Sequence, residues 1–210
     1  MELKQYLRPI VASTTVVLAL AGGLTILTLH RTDPDSLQVP PVYAGAYLAL
    51  FQLNQKQDFE QMHDQLSGLQ SLGQQLERRF RVNPAQRALA AVDRRDASGT
   101  VPSLQELVLL DIQQRLAIAQ ELVRTHPENA LEALRTARMN YQVLALYTPN
   151  TNDELNEAVK RAFLTTIMSV KTEGATPNML RTYTNEIQSK LHQLYPAVRF
   201  AMASSPQGFY

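Results

Sequence analysis

The range Ile10–Leu29 is the sequence feature that most restricts how this chain can fold. Its twenty residues, IVASTTVVLALAGGLTILTL, include no charged side chain, and their only polar groups are the hydroxyls of serine and threonine. As a helix the stretch would span roughly 30 Å, the thickness of the hydrocarbon core of a bilayer. Serine and threonine can hydrogen-bond to a carbonyl of their own helix, so lipid tolerates them. The sequence therefore predicts a single N-terminal transmembrane helix over residues 10–29.

A cleaved signal peptide is the alternative interpretation of this stretch. Lys4 and Arg8 would supply its basic segment, and residues 19–21, Ala-Leu-Ala, would supply a small-x-small cleavage site. However, the apolar run continues to Leu29, whereas the apolar segment of a signal peptide is usually about 7–15 residues long. We therefore favour an uncleaved anchor. Because the chain contains no cysteine, a lipid-modified cysteine is excluded.

The cationic residues near the anchor predict its orientation. Lys4 and Arg8 precede it, and Arg31 is the only Lys or Arg that follows it before Lys56. Lys and Arg near the ends of a span favour the cytoplasmic side. We expect residues 1–9 to form a short cytoplasmic N-terminus and the main domain to lie outside the cytoplasm, in a bacterial periplasm.

Beyond the anchor, the composition is typical of one soluble domain. Hydrophobic residues make up 45% of the chain, and the formal net charge is only +1. We expect no nucleic-acid partner, because affinity for nucleic acid depends on neutralising phosphates with many cations. The proline-rich residues 30–44 predict an extended tether. An all-helical domain is expected over 45–195, and a C-terminal tail over 196–210.

Residues 46–82 predict a long stalk helix with one apolar stripe, since apolar residues recur at spacings of three and four. The stripe consists of Phe59, Met62, Leu66, Leu69, Leu76 and Phe80. One isolated helix cannot bury such a stripe, so we expect it to form an interface with a partner protein. The polar face is rich in glutamine, which can hydrogen-bond a partner or simply face solvent.

Residues 103–194 predict antiparallel helical hairpins, because proline, glycine and capping residues divide them into short helical segments. Asn83-Pro84, Ser103 with Glu106, and Thr151 with Glu154 are helix-start signals. The helix after Ser103 has a wide apolar face and should be central. No long run alternates with period two. The predicted fold class is all-α: a transmembrane helix, a stalk helix and an antiparallel bundle.

Asp111 and Arg115 lie four residues apart within the apolar sector of the predicted central helix. A charged group in that sector needs a partner. The two side chains can pair with each other as a buried ion pair. They can also form a polar site inside the bundle or at a subunit interface.

Two further groups of polar residues are weak candidates for sites. Glu60 and His63 form a Glu-x-x-His pair on a helix, as in di-iron bundles, but the second such pair is missing; a solvated face is the alternative. The other group is a basic patch that could meet anionic lipid or an acidic partner, or remain solvated. It comprises Arg78, Arg79, Arg81, Arg87, Arg94 and Arg95.

No motif points to catalysis. The chain has no glycine-rich phosphate loop, Gly-x-Ser-x-Gly, His-Glu-x-x-His or cysteine nucleophile, and we expect no cofactor. The leading hypothesis is a non-enzymatic, membrane-anchored helical scaffold or accessory subunit. It would contact the lipid bilayer through residues 10–29 and protein partners through its domain. The alternatives are a ligand- or metal-binding sensor domain, and an envelope enzyme whose site is assembled from distant residues.

Overall fold

In the computed structural model the chain divides into two compact units, Met1–Ser36 and Leu37–Tyr210. The structure describes residues 16–20, 23–27, 42–148, 152–173, 175–196 and 198. The predicted cytoplasmic N-terminus, nearly all of the predicted tether and most of the predicted tail lie outside these ranges.

Within the first unit, two short strands form an antiparallel pair. They are β1 (Val16–Leu20) and β2 (Gly23–Leu27), with Val16 opposite Leu27 and Leu20 opposite Gly23. At these positions the structure therefore differs from the predicted transmembrane helix. The β-branched residues of the stretch favour extended backbone, which competes with the helix. The remaining residues of 10–29 are outside the described ranges.

Eight helices make up the described part of the second unit, which confirms the predicted all-α fold class for this domain. They are α1 (Ala44–Lys56), α2 (Phe59–Gly68), α3 (Gln70–Phe80), α4 (Pro84–Asp93), α5 (Ala97–Leu122), α6 (Pro127–Tyr147), α7 (Asp153–Glu173) and α8 (Pro177–Leu194). Among the described residues, none of the helices combines the length and the apolarity needed to cross a bilayer.

Helix α5 is the centre of the domain. Every residue from 107 to 116 is buried, so this part of the helix is enclosed on all sides. Helices α1, α3, α4, α6 and α8 all pack against it. A surface helix buries only one stripe, so ten consecutive buried residues identify α5 as the helix around which the others assemble.

The predicted single stalk helix over 46–82 is wrong, because three short helices occupy this range. Helix α1 ends at Lys56, because the next residue, Gln57, adopts the left-handed backbone conformation with φ of 55°. Asp58 then caps α2 by accepting a hydrogen bond from the backbone N–H of Gln61 at 3.2 Å. A second break falls at Leu69, directly after Gly68, a residue type with poor helix propensity. The apolar spacing continues across both breaks, so spacing alone did not reveal them.

The apolar stripe lies in the core of the domain, which corrects the prediction that it forms an interface with a partner. Met62, Leu66, Leu69 and Leu76 are at most 3% exposed, while Phe59 and Phe80 are partly buried against the core. The breaks let α2 and α3 fold back, so that α2 packs on α4 and α3 packs on α4 and α5. The stripe is thus covered by its own chain.

Capping side chains mark where several helices begin, and the predicted start of one helix is corrected. Asn83 caps α4 as predicted, and Thr176 caps α8; they accept backbone hydrogen bonds at 3.1 and 3.3 Å. Helix α5 begins at Ala97, six residues before the predicted Ser103, because Asp96 Oδ1 accepts from the Gly99 N–H at 2.8 Å. Pro102 lies inside α5 near its start.

Helix α7 begins beside a different cap from the one predicted. Thr151 is outside the described residues, and the neighbouring Asn152 accepts a hydrogen bond from the Leu155 N–H at 2.9 Å.

Candidate functional site

A fully buried polar cluster joins α1, α5 and α6. Arg115 Nε lies 3.0 Å from Asp111 Oδ1, and neither side chain is exposed to solvent. The Tyr47 hydroxyl and the Asn140 amide both donate hydrogen bonds to Asp111 Oδ2, at 2.9 and 2.8 Å. The Asp111 carboxylate therefore has partners for both of its oxygens, and these partners come from three helices.

The environment of the cluster favours a neutral tyrosine beside the Asp111 carboxylate. Burial raises the pKa of Asp111 above its ordinary value, and the charge of Arg115 and the hydrogen bonds from Tyr47 and Asn140 offset only part of this rise. Burial and the nearby carboxylate hold the pKa of Tyr47 well above its usual value. Tyr47 is therefore a protonated, permanent hydrogen-bond donor at neutral pH.

Tyr43 ties the start of α1 to the same cluster. Its ring centroid lies 5.9 Å from Cζ of Arg115, a distance typical of a cation–π contact. Tyr43 and Tyr47 are four residues apart and so share one face of α1. Because Asp111 and Arg115 have no contact with solvent, we assign the cluster to positioning α1 rather than to chemistry on a soluble substrate.

The described surface also contains a polar groove between α3 and α4. It consists of two adjoining depressions of about 310 and 320 Å³ that share Gln74 and Glu77. On α3, Gln70, Gln74 and Glu77 are spaced by four and three residues, which places them on one helix face, and Arg81 directly follows the end of the helix. The full lining is Gln70, Gln74, Glu77, Arg78, Arg81, Asn83, Ala85, Gln86 and Leu89. We call this feature the α3–α4 groove.

The close approach that forms the groove depends on Gly73. A Cβ atom there would lie 2.5 Å from Asn83 Oδ1 and 2.9 Å from Ala85 Cβ, so any side chain would push the start of α4 away. Asn83 Oδ1 accepts from the Gln86 N–H, and Asn83 Nδ2 donates to Glu77 Oε2 at 3.1 Å. The lining carboxylate of the groove is thus already engaged by a neighbouring amide.

The six arginines of the predicted basic patch are not all brought together. Arg78 and Arg81 line the α3–α4 groove, whereas Arg94 and Arg95 follow the far end of α4. Helix α4 has ten residues and is therefore about 15 Å long. The structure thus divides the predicted patch into two basic surfaces.

The two remaining arginines of the patch are paired with glutamates of α5. Arg79 lies 3.3 Å from Glu121, and Arg87 forms an ion pair with Glu106. In contrast, Arg78 and Arg81 have no ion-pair partner within the described ranges. Within the described ranges Arg94 and Arg95 have no ion-pair partner either, so both pairs of arginines are available to a ligand.

Glu60 and His63 do not form a metal site with described neighbours. Glu60 is exposed, and His63 lies between two aspartates, with Nε2 at 3.7 Å from Asp93 and Nδ1 at 3.9 Å from Asp64. No group of three or more His, Cys, Asp or Glu side chains in the described ranges could hold a metal ion.

Fold and surface together define an all-α domain with a sealed ionic cluster in its core and a polar groove on its outside. Comparison with models of protein families found no match, and neither curated proteins nor solved structures gave one.

Proposed function

We propose that this protein is a membrane-tethered helical adaptor, a scaffold or accessory subunit that acts by protein–protein contacts within an envelope or membrane complex. The carboxamide-rich surface of α1–α3 is the observation that supports this function. Eight glutamines of this region are all exposed: Gln52, Gln55, Gln57, Gln61, Gln65, Gln70, Gln74 and Gln75. A carboxamide can both donate and accept hydrogen bonds, and its burial costs less than burial of a charge. Such a surface suits a protein partner.

The tether is proposed from the apolar stretch of residues 10–29. Its twenty uncharged residues are long enough, as a helix, to cross a bilayer. An isolated pair of strands leaves the backbone groups on its outer edges unpaired, which costs several kcal/mol per group in hydrocarbon. We therefore propose that this stretch is helical when it is in a membrane, with the N-terminus on the cytoplasmic side.

The tether is tested by membrane extraction of the full chain. We expect the chain to remain in the membrane pellet at alkaline pH and to retain its N-terminal residues. Leu18→Arg should release it, because an arginine at the centre of a span costs about 2.5–3.5 kcal/mol. Leu146→Arg is the matched control: Leu146 is 69% exposed on α6, so this variant should stay in the pellet. Extraction of the unchanged chain, or a mature N-terminus at Gly22, would contradict the tether.

The adaptor function is tested by site-specific photo-crosslinking in native membranes. Benzoylphenylalanine in place of Gln61 or Gln75 should give one discrete adduct with a partner protein. Gln142, an exposed glutamine on α6, is the matched control and should give no adduct. Equal adducts at all three positions would mean non-specific collision, and no adduct at Gln61 or Gln75 would contradict a contact through this surface.

A further inference from the structure

We propose that the α3–α4 groove binds an extended acidic segment of a partner protein, whose carboxylates pair with Arg78 and Arg81. This inference rests on the proposed adaptor function and specifies the partner's chemistry at one surface.

The charges of the groove select an anion. Arg78 and Arg81 have no carboxylate partner within the described part of the chain, whereas Arg79 is engaged by Glu121. The acidic group in the lining, Glu77, accepts a hydrogen bond from Asn83 at 3.1 Å. Two guanidinium groups against the single carboxylate of Glu77 give the lining a formal charge of +1. Arginine forms forked, charge-assisted hydrogen bonds with carboxylates, so an acidic side chain complements each cation.

The rest of the lining suits a peptide backbone. Gln70, Gln74 and Gln86 present carboxamides, which can pair with both the N–H and C=O groups of an extended chain. Leu89 and Ala85 add an apolar contact beside them. From Gln70 to Phe80 the helix rises about 15 Å, which an extended segment of about five residues would span.

A peptide fits this site better than a lipid surface does. A bilayer is broad and meets cations on protruding surfaces, whereas Arg78 and Arg81 line a depression together with Gln74 and the carboxylate of Glu77, which would repel anionic headgroups. Arg94 and Arg95, which follow the far end of α4, provide an internal comparison because both are exposed and lie outside the groove.

Peptide selection on the full chain in detergent micelles tests the proposal. A library of short random peptides is panned against the protein, and a selected peptide is labelled for fluorescence anisotropy. We expect enrichment of Asp and Glu, and affinity lowered about tenfold or more in Arg78→Gln/Arg81→Gln. Gln57 already adopts φ of 55°, so glutamine can replace Arg81 at its φ of 62°. Unchanged helical content by circular dichroism checks the fold.

The matched control is Arg94→Gln/Arg95→Gln, which removes the same charge outside the groove. We expect its affinity for the selected peptide to remain within about twofold of the unchanged chain. An equal loss of peptide affinity in the two double variants would mean that positive charge anywhere on the surface attracts the peptide, and it would overturn the groove as the binding site. Selected peptides without acidic residues, or no selected peptide, would overturn it as well.

Two further measurements distinguish peptide binding in the groove from lipid binding and from the adaptor function as a whole. If vesicles of phosphatidylserine and phosphatidylcholine bind through Arg78 and Arg81 and acidic peptides do not bind, the site belongs to lipid headgroups and the peptide proposal is wrong. If Arg78→Gln/Arg81→Gln keeps the photo-crosslinked partner at Gln61 or Gln75, the adaptor function remains and the groove proposal is wrong.

Discussion

At the scale of single residues, the Asp111–Arg115 pair shows how a helical domain accommodates charge in its centre. Taking two ions out of water costs several kcal/mol per ion, and only good geometry with further hydrogen bonds offsets this cost. Tyr47 and Asn140 provide those bonds to Asp111. We expect the cluster to fix how α1 and α6 dock on α5, because a different docking would leave the two buried charges without these hydrogen bonds.

Removing either member of this pair should destabilise the domain strongly. Breaking a buried pair leaves an uncompensated charge, and we expect Asp111→Ala or Arg115→Ala to lower the free energy of unfolding by about 3–5 kcal/mol. A double-mutant cycle measured by urea denaturation should show large coupling. The exposed pair Glu157–Lys160, at 2.6 Å, is the control.

For that exposed pair, each substitution should cost under about 1 kcal/mol, because solvent screens the two charges. Small, additive effects at Asp111 and Arg115 would contradict the sealed cluster.

The sequence revealed only half of this cluster. Helical spacing placed Asp111 and Arg115 in the apolar sector of α5 because both lie on the same helix. Tyr47 and Asn140 are 64 and 29 residues away from Asp111, so their approach depends on how whole helices pack. Asn140 did give a local signal, since it is a polar residue beside the buried Ala137 and Tyr141 of α6.

At the scale of the element, the stripe on α2 and α3 shows what periodicity leaves open. The spacing of Met62, Leu66, Leu69 and Leu76 indicated burial, and all four are buried. It could not indicate whether the covering surface belongs to the same chain. That depends on the chain reversal at Gln57 and Asp58, and a reversal through a non-glycine residue at positive φ leaves little signal in the sequence.

The N-terminal cap of α5 predicts a pH effect on stability. Hydrogen bonds from the Gly99 N–H and the Ser98 hydroxyl hold the pKa of Asp96 below its ordinary value of 3.8. A lowered pKa in the folded state means that the stabilisation is present above pH 3.8 and is lost as pH falls through the folded pKa. Asp96→Asn keeps the acceptor oxygen but does not titrate, so its urea midpoint should fall less steeply in acid.

A matched comparison for this effect is the cap of α8. Thr176→Asn replaces one uncharged cap by another, so its effect on the urea midpoint should not depend on pH. Parallel acid profiles for the unchanged chain and Asp96→Asn would show that the Asp96 charge adds nothing to the cap.

At the scale of the whole molecule, the central position of α5 governs the organisation of the helical domain. The wide apolar face of this helix was sufficient to predict its central position. The predicted stalk, in contrast, ends directly before Asn83-Pro84. Asn83 does cap a new helix, but α4 packs against α2, α3 and α5. A cap therefore marks the start of an element without separating two domains.

The continuous core predicts that the helical domain unfolds as one unit. A single cluster of buried side chains includes Leu66 of α2, Leu116 of α5 and Ile187 of α8. We expect Leu66→Ala to cost about 2–5 kcal/mol, as large-to-small core substitutions do. Amide hydrogen exchange should then accelerate in α8 as well as in α2, because both open through the same global unfolding.

Leu146→Ala, at a residue that is 69% exposed, is the control and should change stability by less than about 0.5 kcal/mol. Faster exchange confined to α1–α3, with α8 unchanged, would show that this region is a separable stalk and would contradict the single core.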